Sequence, residues 1–235
     1  MLTAALQLAN KKEYRKNLDE LISYINTLPK DALIVAPEVC LTDYDYDNIE
    51  KAANFSKLAI NELLELIDNQ ILVFTTILKE RDSYVNKAVV IHKHKIVHSQ
   101  NKHKLFKLGN EHLYLKAGSG EDIKIFEING VKYGLLICFE LRYKELWQKL
   151  ENADIILAPS QWGLPRKRHL EIISNALAVV NQCYVVVANS SKADMASSSA
   201  IYAPMGGKTI DDASSVIKSD IDLKQVKFMR RYIKL

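Results

Sequence analysis

Apolar positions along the chain alternate between two rhythms. Leu2 to Leu8 is a short apolar run that reads as a strand, and from Glu13 to Leu28 the residues Leu18, Leu21, Ile22, Ile25 and Leu28 recur at the 3.6-residue period of an amphipathic helix. Pro29 stops that helix. Leu33-Ile34-Val35-Ala36 is continuously apolar, the pattern of a strand buried on both faces, and it delivers Pro37-Glu38 at its C-terminal end. A second helix is predicted over Asn48 to Ile67.

From Ile71 the period shortens. ILVFTTIL, YVNKAVVIH and KIVHS are strand-like runs rich in β-branched residues, parted by charged turns at Lys79 to Ser83 and near Lys93. IKIFEING and VKYGLLIC form a further pair joined by Asn129-Gly130, a strong hairpin signal, and the second of them runs to Cys138. Beyond it the pattern predicts a helix over Leu141 to Leu150, a buried strand over Asp154 to Pro159, a helix over Pro165 to Val180 and a strand over Tyr184 to Ala188. ASSSA at Ala196 to Ala200 reads as a mobile loop. Helices alternating with buried strands predict a layered α/β fold with added antiparallel pairs.

Composition narrows the class. With 235 residues, 48% hydrophobic and 26% charged, and only eight Gly and five Pro, the chain has the balance of a soluble globular protein, read as one domain over residues 1–235. Three widely spaced cysteines, Cys40, Cys138 and Cys183, suggest neither a disulfide framework nor a CxxC metal site. The start, MLTAALQLANKKEY, lacks a basic segment before its apolar stretch, and no run approaches the roughly 18 apolar residues of a membrane span. A cytoplasmic protein outside the membrane is expected. A formal charge of +4 is too small to imply a nucleic-acid partner. The excess is partly local, since five Lys and four His lie between His92 and Lys107 with no acid among them. His92, His94 and His98 recur at even spacing, yet alternating His and Lys around a turn reads as a solvated hairpin edge rather than a metal site. Cys40 and Cys183 read as structural.

Glu38, Lys102 and Cys138 share one feature: each stands at or just beyond the end of a predicted strand, where open α/β sheets gather functional groups. A carboxylate can take a thiol proton, and an ammonium can stabilise a tetrahedral oxyanion. Those residue types suffice for acyl transfer through a thioester. In PEVCLTDY at Pro37 to Tyr44, NKHKLFKLGNEHLYLKAG at Asn101 to Gly118 and LLICFELRYKELW at Leu135 to Trp147, the chain resembles the nitrilase superfamily of carbon-nitrogen hydrolases, with its three signature blocks in order. APSQWGLPRKRH, NQCYVVVANS and SAIYAPMGG extend the likeness over nearly the whole chain, and the blend is most similar to the bacterial omega-amidase branch.

The resemblance implies a four-layer α-β-β-α sandwich, a homodimer, no cofactor or metal, and hydrolysis of a small carboxamide, such as an omega-amide of a dicarboxylic acid, with ammonia release. It assigns Glu38 as general base, Lys102 as electrostatic partner, Cys138 as nucleophile and Glu111 as a second glutamate beside the lysine. The backbone N–H of Phe139 would share the oxyanion with Lys102, and the turn after Cys138 is expected to favour thiolate. Tyr44, Trp162 and Arg166 are candidate substrate contacts. Lys102 is chosen over Lys104 because the family lysine stands three residues before Leu-Phe. Two departures stand out: Asp43 occupies a position often held by Gly, and Leu177 and Val180 replace a charged pair expected to brace the site. An N-carbamoyl hydrolase, an acyl transferase, and a non-catalytic scaffold or thiol redox sensor remain as alternative readings.

Overall fold

The computed structural model describes residues 1–234. Its elements follow the sequence pattern closely: β1 (Leu2–Leu6), α1 (Tyr14–Thr27), β2 (Leu33–Val35), α2 (Ile49–Leu66), β3 (Ile71–Glu80), β4 (Ser83–His92), β5 (Lys95–Asn101), α3 (Glu111–Tyr114), β6 (Phe126–Ile128), β7 (Val131–Leu135), α4 (Lys144–Lys149), β8 (Ile155–Pro159), α5 (Lys167–Val180), β9 (Tyr184–Ala188), β10 (Ala200–Tyr202), β11 (Lys208–Ile210), β12 (Val216–Asp220) and α6 (Leu223–Tyr232). They form two six-stranded sheets, ordered β12-β1-β2-β3-β4-β5 and β11-β10-β9-β8-β7-β6. Each has a parallel centre, β1-β2-β3 in one and β7-β8-β9 in the other, flanked by antiparallel strands.

The two faces of each sheet explain the layering. Ala5, Leu33, Val35, Val73, Ala88 and Val90 pack inward with the β7-β8-β9 strands, whereas Ala4, Leu6, Ile34, Leu72, Phe74 and Val89 pack outward under α1 and α2. Strands buried on both faces therefore carry continuous apolar runs. Leu170, Leu177 and Ala178 of α5 close the opposite side. The result is the α-β-β-α sandwich that the resemblance implied.

Four expectations are corrected. β7 stops at Leu135, not Cys138: Leu136 still donates to Leu157 O at 3.0 Å, but the next N–H, of Ile137, goes to the Glu140 carboxylate at 2.7 Å and leaves the ladder. The single helix over Leu141 to Leu150 is instead a 3-10 turn, Cys138–Arg142, and α4, separated by extended Tyr143. ASSSA is not a loose loop: Ser198 and Ser199 are buried, with Ser198 Oγ donating to Glu171 and Ser199 Oγ donating to Leu6 O. The His/Lys hairpin is not a solvated edge throughout, because His92 and His98 are buried, His92 Nδ1 on Gln70 O and the His98 ring stacked on Phe126. A bulge between Val90 and Ile91 and left-handed Lys93 and His94 break the even spacing of the histidines. The Asn129-Gly130 hairpin forms as read, both residues having positive φ.

Candidate active site

The ends of β2, β5, β7 and β8 meet at one end of the sandwich. There the Glu38 N–H donates to Ser160 O at 3.1 Å, joining the two sheets directly at the site. Beyond Glu38 the chain turns sharply at Val39, whose φ is +44, a strained value for a β-branched residue. Surrounding groups hold it there: the Val39 N–H donates to Thr75 Oγ1, and its carbonyl accepts from Asn10, Thr42 and Asp43. Cys138 is likewise left-handed, at φ +50, and so is Asn110 immediately before Glu111. Left-handed non-glycine backbone costs about 1–3 kcal/mol per residue and gathers at functional sites. Here it aims a carboxylate, a thiol and a second carboxylate at one place.

Lys102 is wholly buried, a costly position for an ammonium without partners. Its Nζ donates to Glu38 Oε1 at 2.8 Å and to Glu111 Oε1 at 2.7 Å. Tyr44 Oη lies 2.7 Å from Glu38 Oε1 and 3.0 Å from Glu111 Oε1, so its one proton serves one carboxylate at a time. Asn86 Nδ2 donates to Glu38 Oε1 at 2.9 Å and to Tyr44 Oη at 3.0 Å. Glu111 Oε2 accepts the Phe106 N–H at 3.0 Å. Every hydrogen bond to the Glu38 carboxylate falls on Oε1; among the described residues Oε2 has no donor.

Charge in this cluster is unevenly shared. Burial works against the Lys102 ammonium, yet Glu38 and Glu111 outweigh it and leave the lysine more basic than usual. Burial raises the Glu111 pKa; Lys102 pulls it down and Glu38 adds to the rise. Cys138 is 7% exposed, and burial together with Glu38 holds its pKa well above the ordinary thiol value, with Lys102 and the Gln161 N–H pulling only part of the way back. The resting sulfur therefore keeps its proton at neutral pH. This corrects the expectation that the turn favours thiolate.

An open cavity lies in front of these groups, with Glu38, Tyr44, Glu111 and Cys138 among its walls, and it continues into a crevice bounded by Phe106, Phe139, Trp162, Arg142 and Arg166. Arg166 lies over the Phe106 ring at 5.2 Å and Arg142 over the Trp162 ring at 4.7 Å. Neither guanidinium has a carboxylate partner among the described residues. Trp162 is almost fully buried, its backbone N–H donating to Asn189 Oδ1 at 2.7 Å, so it forms the crevice floor. The Phe139 N–H has no protein acceptor among the described residues. Lys104 lies outside the cluster, paired with Glu145 at 3.3 Å.

The two departures are now legible. Asp43 has φ +56, which explains a glycine preference there, and its carboxylate accepts from Gln161 Nε2 at 2.7 Å and Lys192 Nζ at 2.6 Å on the cavity wall. Leu177 and Val180 do not brace the site: Leu177 is in the core under α5 and Val180 is 54% exposed at the helix end. Cys40 packs under α1 and α2, and burial pushes its thiol up to about 12.

The sequence model of the family described as carbon-nitrogen hydrolase matches residues 2–231. The chain belongs to the carbon-nitrogen hydrolase family. This hydrolase is 28% identical over 218 residues to the 2-oxoglutaramate amidase of Bacillus subtilis (strain 168), covering 86% of this chain and 82% of that protein. It is 30% identical over 121 residues to omega-amidase YafV of Escherichia coli (strain K12), an alignment spanning 52% of this chain and 46% of that one. A solved branch 10 member of the nitrilase superfamily from Saccharomyces cerevisiae superposes with a TM-score of 0.88 at 20% identity, over 100% of this chain and 94% of that chain. The resemblance to the omega-amidase branch of the nitrilase superfamily therefore holds, and the chain is a hydrolase of carbon-nitrogen bonds in linear amides.

Sequence reasoning missed three residues. Asn86 left a signal, a polar side chain within the apolar run of β4. Gln161, whose N–H lies 3.5 Å from Cys138 Sγ, left none, and Glu140 left only the local one of a glutamate three residues after Ile137, since its reach to the His103 N–H comes from a segment far along the chain.

Proposed function

We propose that this hydrolase cleaves the terminal carboxamide of a short dicarboxylic acid monoamide through a thioester on Cys138, releasing ammonia. The observation that carries the reading is a cavity walled by both Glu38 and Cys138, with Lys102 buried behind it on Glu38 Oε1 and, among the described residues, Glu38 Oε2 left free of donors. Glu38 takes the thiol proton as the sulfur attacks the amide carbon, so no free thiolate need accumulate. Lys102 and the Phe139 N–H stabilise the oxyanion. Glu38 then returns the proton to the leaving nitrogen, the carbon-nitrogen bond breaks and ammonia departs. Water, deprotonated by Glu38, attacks the thioester, and the acid leaves with the thiol restored. Glu111 holds Lys102 in place and its ammonium protonated.

Support for an anionic acyl group comes from Arg166 and Arg142, two guanidiniums without carboxylate partners beside the thiol. The name of the Bacillus relative, a 2-oxoglutaramate amidase, agrees with a substrate bearing a distal carboxylate. Ammonia release from succinamate, glutaramate and glutamine, by wild type and Cys138→Ala in parallel, tests the proposal. Release that vanishes in the variant is expected; equal release by both, or none from any amide, rejects it.

Exposed Ile172, Val179 and Val180 on α5, with Met205 beside Gly206, give an apolar face on which a second copy would pack, and a homodimer is part of the proposal. Sedimentation of wild type against Val180→Glu reads it: a dimer that becomes a monomer is expected, and a wild-type monomer rejects it. Three free buried thiols agree with a reducing, cytoplasmic setting.

A further inference from the structure

Glu140 is fully buried and takes no part in the steps above, yet it touches both sides of the site. Its Oε2 accepts the N–H of Ile137, the residue before Cys138, at 2.7 Å, while its own N–H donates to Ile137 O at 3.0 Å. This reciprocal pair closes a ring around left-handed Cys138. The other oxygen, Oε1, accepts the N–H of His103, the residue after Lys102, at 2.6 Å, and that of Lys104 at 3.4 Å. One carboxylate thus ties the nucleophile's turn in one sheet to the end of the lysine's strand in the other.

Among the described residues no cation pairs with it directly. The His103 ring turns away to Gly118 O, the Lys104 ammonium pairs with Glu145, and the Lys102 ammonium is held by Glu38 and Glu111. The three groups meeting the Glu140 oxygens are all backbone N–H donors, which demand an acceptor at both oxygens. A glutamine of the same shape would point its amide NH2 at one set of those donors.

We propose that Glu140 is a positioning residue for the amidase reaction, a buried staple that fixes the Cys138 turn against the Lys102 strand end. The proposal rests on the functional reading above. Its mechanism is geometric: without the staple, the ring around Cys138 relaxes, the sulfur moves outward, and it loses its alignment with Lys102 and Glu38. A displacement on the order of 1 Å costs roughly 100-fold in rate.

The test compares wild type, Glu140→Gln and Glu140→Asp for kcat and KM of ammonia release, and for iodoacetamide labelling of each cysteine by peptide mass spectrometry. In Glu140→Gln, kcat is expected to fall about 100-fold with KM changed by less than about threefold, since alignment rather than binding is lost. Labelling at Cys138 should rise while buried Cys40 and Cys183 stay unlabelled, the mark of local release. Glu140→Asp, still an acceptor but shorter, should recover part of the rate. Wild-type kcat and wild-type labelling in Glu140→Gln overturn the proposal. Should Glu140→Gln expose all three cysteines by unfolding, Glu140→Asp carries the test: a roughly tenfold lower kcat with labelling confined to Cys138 supports the staple, and wild-type values overturn it. If wild type itself releases no ammonia, the functional reading fails, whereas the labelling pattern still judges the staple.

Discussion

Lys102 Nζ lies 2.7 Å from Glu111 Oε1 and 2.8 Å from Glu38 Oε1, one ammonium bridging two carboxylates almost sealed from water. The bridge is as much a condition of folding as of chemistry. Replacing Lys102 with Met leaves two acids buried side by side, and removing one partner of a buried ion pair costs about 3–5 kcal/mol. Adding Glu111→Gln to Lys102→Met should regain part of that loss, because the remaining repulsion is relieved. Urea midpoints of the two variants measure it; a single Lys102→Met change worth less than about 1 kcal/mol would mean that the carboxylates had already shed their charge.

Arg166 provides a test of specificity separate from the chemistry. With its guanidinium over Phe106 and no carboxylate partner among the described residues, Arg166→Ala should raise KM for succinamate or glutaramate by roughly 10-fold or more, the worth of a charge-assisted contact, while kcat/KM for the neutral amide butyramide stays within about twofold. Equal losses on charged and neutral amides would assign Arg166 to the shape of the crevice instead.

How much of this was legible in the sequence follows from range. The apolar runs of β2, β3, β8 and β9 and the periods of α1, α2 and α5 are local signals, and each marks its element to within a few residues. Glu38, Lys102, Cys138 and Glu111 were recoverable through motif resemblance, and the structure sets Glu38, Cys138 and Glu111 in the wall of one cavity with Lys102 buried behind them on the two carboxylates. What escaped was set by side-chain hydrogen bonds that apolar periodicity does not register: β7 ends early because the Glu140 side chain, three residues on, captures the Ile137 N–H, and Ser198 is buried because Glu171, on distant α5, accepts from it. Thiol ionisation was misread for the same reason. A turn's N–H groups are local, whereas the burial and the Glu38 charge that keep the Cys138 proton in place come from the assembled sandwich.

Stability should fall in alkali. Burial pushes Cys40 and Cys183 up to about 12 and holds Cys138 well above the ordinary value of 9.0, so between those limits the folded chain keeps thiol protons that the unfolded chain has lost. Fewer protons on the unfolded state mean that unfolding free energy declines as pH rises, by about 1.4 kcal/mol per pH unit for each thiol, with no such effect below the unfolded thiol pKa. Urea midpoints at pH 8 and pH 10.5 under reducing conditions read the slope. A Cys40→Ala, Cys183→Ala double variant should flatten it, and an equally steep decline in that variant would assign the effect elsewhere.

Gly118 guards the position of Lys102 through the backbone. Its N–H donates to Lys102 O at 2.8 Å, and a Cβ built on it would stand 2.4 Å from Asn101 O, so any side chain forces the two segments apart. Gly118→Ala should cost about 1–3 kcal/mol and lower kcat more than it raises KM. Unchanged stability and turnover would show that the segments part without moving the ammonium.

The most direct test of the central claim is the mass of Cys138 during turnover. The protein is mixed with succinamate, quenched in acid within one turnover, digested and read by mass spectrometry. An acyl group of the substrate's mass on the Cys138 peptide, absent from those of Cys40 and Cys183 and lost as ammonia release runs to completion, is the predicted result. Ammonia release with Cys138 unmodified at every time point would contradict the thioester route.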